Sequence, residues 1–151
     1  MLNPETIQMI YQLTLAAFLG MLVGFEREYR GKPAGLRTYM LVAVGAALFT
    51  IMSVESSLGA PYFDPSRIAS QVVVGIGFIG GGLILLKGDR LEGLTTAAGL
   101  WATAAVGMAV GFGFYALAIY ATVLVLFVLW ALRFVEIYIH KGKSGANHED
   151  V

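Results

Sequence analysis

The chain has 151 residues, no Cys, two His, and ten basic against ten acidic residues for a formal net charge of zero. Hydrophobic residues make up 58% and charged residues only 13%, against roughly 25% charged in soluble domains, and mean hydropathy is +0.75; this is the composition of an integral membrane protein, and one membrane domain with no separate soluble domain is expected. The charge balance argues against nucleic acid as a partner, since phosphate binding needs a basic excess, and the lack of Cys removes disulfides, thiolate metal sites and a cysteine nucleophile together.

A helix needs about 20 apolar residues to cross the roughly 30 Å hydrocarbon core of a bilayer. Residues 7–25 meet that requirement and run straight into FEREYRGK without a small-residue cleavage site, so they predict a retained spanning helix rather than a signal. Ala16, Gly20 and Gly24 recur every fourth position on it. A charged loop follows, with Glu26, Arg27, Glu28, Arg30, Lys32, Pro33, Gly35 and Arg37, and Thr38 is placed to cap a second helix over 38–54. Residues 55–66, with Gly59, Pro61, Asp64 and Pro65, are turn-rich and must leave the membrane.

Arg67 opens a third helix predicted over 68–86, KGDRLEG forms a charged loop, and a fourth helix is predicted over 94–112. The third carries Gly75, Gly77, Gly80, Gly81 and Gly82; the fourth carries Thr95, Gly99, Thr103, Gly107 and Gly111 at a strict spacing of four. Lipid tails are as apolar as Leu, so membrane helices associate where small residues let backbones approach. Gly20, Gly24, Gly77, Gly81, Gly99, Thr103, Gly107 and Gly111 are therefore expected at helix contacts, and this third–fourth hairpin is expected to be the element around which the others assemble. After a turn at 111–113, residues 114–139 predict a fifth helix that is bulky all round, from Leu117 to Leu129, which suits a lipid-facing position. Trp130, Arg133, Glu136 and Tyr138 mark its interfacial end. The expected whole is an all-α, five-helix membrane domain over 1–140 and a polar tail over 141–151.

Nine of the ten Lys and Arg fall in the first loop, the third loop or the C-terminal end; Arg67 alone falls opposite. The positive-inside rule then predicts the N-terminus outside and the C-terminus cytoplasmic, with an odd number of spans. A parallel repeat of two hairpins is also suggested: Gly35, Leu36 and Thr38 recur 58 positions later as Gly93, Leu94 and Thr96, and Gly20 and Gly24 recur 57 later as Gly77 and Gly81.

Glu26 and Arg27, at the end of an apolar helix, are expected to pair with Arg37 or with the third loop and so to hold the hairpins together; plain solvation and a partner or ion site are the alternatives. Glu26, Glu28, Asp89 and Glu92 have oxygens to offer Mg²⁺, although nothing in their spacing demands it. Gln71 is expected to hydrogen-bond a neighbouring helix near Thr50 or Ser53, or else to line a polar cavity, and Arg67 to sit at the membrane boundary. GIGFIG follows no strand and is no dinucleotide motif; it serves helix packing or, as the alternative, a broken helix. No nucleophile is set beside a base, so no enzyme and no cofactor are expected.

The stretches GFEREYRGKPAGLRT, RIASQVVVGIGFIGGGLIL and GLTTAAGLWATAAVGMAVGFGFY, in this order from about Gly20 to Tyr115, resemble the signature blocks of the MgtC/SapB family of bacterial inner-membrane proteins. The matching motif residues are Glu26, Arg27, Gly35, Arg37, Thr38, Arg67, Gln71, Gly77, Thr95, Thr96 and Trp101. The resemblance implies a four- or five-helix domain in the inner membrane, tied in some members to growth in low Mg²⁺ and survival in phagocytes. It further implies a role in restraining the proton-translocating ATP synthase and adjusting membrane potential, or the older alternative of Mg²⁺ transport. The chain departs from the virulence members in carrying Thr95 where they have Asn, and it looks like a short form without their soluble C-terminal domain. The expected partners are the lipid bilayer, a second copy in a dimer, and another inner-membrane complex such as ATP synthase.

Overall fold

The computed structural model describes residues 3–58 and 64–146, with side chains through Leu132. It contains five helices: α1 (Pro4–Tyr29), α2 (Leu36–Ser57), α3 (Ser66–Gly81), α4 (Leu94–Gly111) and α5 (Tyr115–Ala146), with a small hairpin of β1 (Leu85–Lys87) and β2 (Arg90–Glu92) between α3 and α4. Four of them, α1, α2, α4 and α5, are long and apolar enough to cross a membrane; α3, at 16 residues, rises about 24 Å. The fold is all-α, as composition predicts. The interfacial side chains expected at Arg133, Glu136 and Tyr138 lie outside the described side chains, and the backbone of α5 continues well past residue 139.

Each helix end has a local cause. Pro4 sits at the start of α1, where its missing N–H costs nothing, and the Asn3 carboxamide accepts the Thr6 N–H at 2.8 Å and the Thr6 hydroxyl as well. At the start of α2 the cap is not Thr38. Gly35 occupies the N-cap position without a side chain to offer, and Glu28 reaches across from α1 to accept the Leu36 N–H at 2.8 Å. A carboxylate there also meets the positive end of the helix dipole.

The predicted third helix is too long by a turn. Three successive glycines, 80 to 82, each cost about 1 kcal/mol in a helix, and the chain leaves the helix after Gly81. Leu85 to Glu92 then forms an antiparallel hairpin, Leu85 opposite Glu92 and Lys87 opposite Arg90, around Gly88 at φ 61°. Gly93 closes it at φ 93°, and a Cβ there would collide with the Leu83 carbonyl, so this position requires glycine.

α4 meets each of the other four helices, as expected of the α3–α4 hairpin, and beside it stands a second central helix, α2. It packs between α1 and α4, α3 lies against α4 and α2, and α5 against α4 and α1. The glycine stripes of α1 and α4 both point at it. A Cβ on Gly20 would come within 2.8 Å of the Ala43 side chain, one on Gly24 within 2.7 Å of Leu36, and one on Gly111 within 2.6 Å of Thr50. Gly107 lies on the Ala43 backbone itself. Ala43 is thus gripped from both sides, which only a small residue allows. Thr50, Thr103 and Thr122 are buried, and each hydroxyl returns to the carbonyl four residues back in its own helix at 2.8 Å, so none is left unpaired in the apolar interior.

Buried Gln12, which the sequence reading passed over, donates its amide to two carbonyls at the end of α4, that of Val110 (3.1 Å), which also accepts the Gly113 N–H, and that of Gly111 (3.2 Å). We expect Gln12→Leu to lower stability by about 1–3 kcal/mol, the cost of leaving the buried Gly111 carbonyl without its amide donor, measurable as an earlier melt in detergent. α5 follows its composition: Leu117, Val123, Leu124 and Phe127 are exposed on the outer surface, while the small Ala118 and Thr122 face inward.

Candidate functional site

Glu26 and Arg27 end the apolar part of α1 and turn into the bundle. Arg27 is 4% exposed. Its Nη1 lies 3.5 Å from the Glu26 carboxylate, and its Nη2 donates to the Thr96 hydroxyl at 3.3 Å. Arg30, one turn on, donates through Nε to the other Glu26 oxygen at 3.1 Å, so one carboxylate is shared by two guanidinium groups. Tyr39 of α2, fully buried, donates its hydroxyl to the Thr96 carbonyl at 3.2 Å. Thr96 is therefore where α1, α2 and α4 are tied together.

The expected pairing is half corrected. Arg27 does reach the chain just beyond the third loop, at Thr96. Arg37 does not take part; it is exposed and makes no ion pair among the described residues. Asp89, Arg90 and Glu92 stand out in the exposed hairpin, where the one ion pair is Lys87–Glu92 at 3.8 Å, too open to add much. Glu28 is occupied at the start of α2. The four carboxylates considered for Mg²⁺ are thus not gathered, and no group of three or more metal-ligating side chains occurs among the described residues.

The remaining motif residues scatter over other surfaces. Gly35 lies against Glu28, whose carboxylate a Cβ would meet at 2.6 Å, and Gly99 lies against the Tyr39 hydroxyl at the same distance. Thr95 and Trp101 are exposed on α4, and Arg67 is exposed at the start of α3. Gln71 bonds neither Thr50, which returns to Ala46, nor Ser53, which donates to the Pro65 carbonyl at 2.8 Å. It lies instead in a groove of ≈ 630 Å³ between α2 and α3, which Thr38 also lines. Gly77 and Gly81 were expected at helix contacts, yet a Cβ on either meets nothing within 4 Å. In the proposed repeat they correspond to Gly20 and Gly24, which are tightly packed; α3 presents Gly80 and Ile76 inward instead. α3 stays helical through residues 75–80, so this glycine run is no break within the span.

Four membrane-length helices around a packed interior define a multi-pass, all-helical membrane protein. The chain belongs to the MgtC family, whose model matches residues 13–138. It is 50% identical over 129 residues to the Escherichia coli K12 protein named "Putative magnesium transporter YhiD", covering 82% of this chain and 60% of that protein. Protein SapB of Bacillus subtilis is 38% identical over 149 residues, with 94% of this chain and 63% of SapB covered. Protein MgtC of Brucella abortus is 49% identical over 118 residues, with 78% and 48% covered. The chain thus spans less than two thirds of the length of these relatives. No solved structure matches it.

Proposed function

We propose that the chain is a non-catalytic protein of the bacterial inner membrane that regulates ion and energy homeostasis under Mg²⁺ limitation. It acts through helix contacts with a second copy and with another membrane complex, for which the proton-translocating ATP synthase fits the family resemblance. The observation that carries this reading is the outer face of α3. Gly77 and Gly81 have open space where a neighbour would sit, and Phe78 between them is 87% exposed, while the equivalent stripes of α1 and α4 are used up inside the chain. The basic loops are taken to face the cytoplasm, with the N-terminus outside.

A second reading, a Mg²⁺ transporter or channel, draws on the printed name of the YhiD relative and on Gln71 and Thr38 at opposite ends of the α2–α3 groove. The two are separated by Mg²⁺ flux into dye-loaded liposomes under an imposed potential, run beside crosslinking of the protein in membranes. On the regulator reading liposomes show no flux above protein-free controls, and Gly77→Leu abolishes crosslinked assemblies at an unchanged melting point. Saturable flux lost in Gln71→Leu would replace it with the transporter reading.

A further inference from the structure

The groove between α2 and α3 is open where the rest of the interior is tight. A Cβ added at Gly45 of α2 or at Gly75 of α3 meets nothing within 4 Å, although both residues line the groove. Its lining is apolar apart from Thr38 at one end and Gln71 toward the other, and contains no carboxylate. Thr38 to Phe49, the stretch of α2 along it, rises about 16 Å, which is half of the roughly 30 Å hydrocarbon core. One leaflet has that depth; a spanning helix needs twice as much.

The mouth at the Thr38 end carries two cations, with the Glu28 carboxylate beside them held on the Leu36 N–H. Arg37 precedes Thr38 and lies one turn before Leu41, so it shares a helix face with a lining residue that is itself 71% exposed. Arg37 is exposed and without an ion pair among the described residues, and so is Lys32, next to Pro33 in a second hollow that shares Thr38 and Ile79 with the groove. A guanidinium whose donors are unpaired among the described residues, above an apolar channel of one leaflet's depth, matches a phosphate with a hydrocarbon chain below it.

We propose that the α2–α3 groove is a binding site for an anionic phospholipid, one acyl chain lying along Gly45 and Gly75 and the phosphate held by Arg37 with Lys32 near it. The acyl chain replaces the packing that two glycines forgo, so the lipid completes the contact between α2 and α3. The second hollow also takes in Gly77, Phe78 and Gly81, so at its mouth the site borders the outward Gly77–Gly81 face, while Gly45 and Gly75 lie away from it.

The test takes the full chain in mild detergent and adds phosphatidylglycerol or phosphatidylcholine in mixed micelles. Phosphatidylglycerol is expected to raise the melting midpoint by several degrees and phosphatidylcholine by less, and native mass spectrometry to find phosphatidylglycerol retained. Gly45→Leu and Gly75→Leu put side chains into open space, so both should keep the wild-type midpoint in detergent alone and lose the lipid shift. Arg37→Gln should reduce the phosphatidylglycerol shift to that of phosphatidylcholine. Equal shifts with the two lipids in the wild type, or a full shift in both Leu variants, would overturn the proposal. So would loss of the preference in Arg67→Gln but not in Arg37→Gln, or Leu variants that turn an oligomer into monomers while the lipid shift persists, which would give the groove to a second copy.

Discussion

Gly107→Leu is expected to lower the melting midpoint in detergent by many degrees, the largest loss of any single glycine substitution on α4. Gly107 rests on the backbone of Ala43, and a helix backbone cannot move aside as the tip of a side chain can. Forcing extra methylenes into a packed interior typically costs about 1–3 kcal/mol, and meeting backbone puts the cost at or above the top of that range. The same helix face carries Gly99 and Gly111 against Tyr39 and Thr50, so displacing α4 at Gly107 also disturbs the contacts on either side, including the Tyr39 bond to Thr96. Set against a stability of about 5–15 kcal/mol for a whole domain, such a loss is large. Gly77→Leu is the control: its side chain enters open space, and the melt should not move. A wild-type melt for Gly107→Leu would mean that α2 and α4 do not meet as described.

These two glycines show what the sequence makes legible and what it does not. Spacing of four says that a helix can be approached closely, and it marks Gly20, Gly24, Gly99, Gly107 and Gly111 correctly as contact residues. It does not say by whom. The stripe of α4 is met by α2 within the chain, whereas Gly77 and Gly81, which look the same in sequence, have no neighbour within 4 Å of an added Cβ. The central place of α2 is not legible because its own stripe, Tyr39, Ala43, Ala46, Ala47 and Thr50, is built mainly from Ala, which is too common in apolar helices to stand out. The end of α3 was hidden for a similar reason. Leu83 to Leu86 are as apolar as the helix before them, and hydropathy cannot tell a helix turn from a strand; the glycine run was the available signal.

At the candidate site, the charged character of Glu26 and Arg27 at a helix end was readable, but partner choice was not. Arg37 and Glu28 are drawn from the same loop and part company in space: Glu28 turns in to cap α2, and Arg37 stays outside. Gln12 gave one usable hint, an amide within an apolar run, which in a bilayer requires a partner. Its partners, the terminal carbonyls of α4, lie 98 and 99 residues away, beyond the reach of any local pattern.

The second large effect falls on the buried ion pair and is asymmetric. Glu26→Ala leaves Arg27 charged, 4% exposed and with the neutral Thr96 hydroxyl as its remaining partner, because a guanidinium does not release its proton. Stranding a buried charge in this way costs about 3–5 kcal/mol. Arg27→Met removes the cation instead, fills much of its volume, and leaves Glu26 with Arg30 at 3.1 Å, so no charge is stranded and the loss should stay within about 1 kcal/mol. Chemical unfolding of the two variants in detergent measures the difference directly, and equal losses, or a larger loss from Arg27→Met, would refute the shared-carboxylate arrangement. The asymmetry also makes Arg27 open to functional study, since its removal is the change that the fold tolerates. If Arg27→Met melts like the wild type yet loses the growth at low Mg²⁺ that the proposed function expects of the wild type, the guanidinium acts in what the protein does, and its tie to Thr96 serves to hold it there.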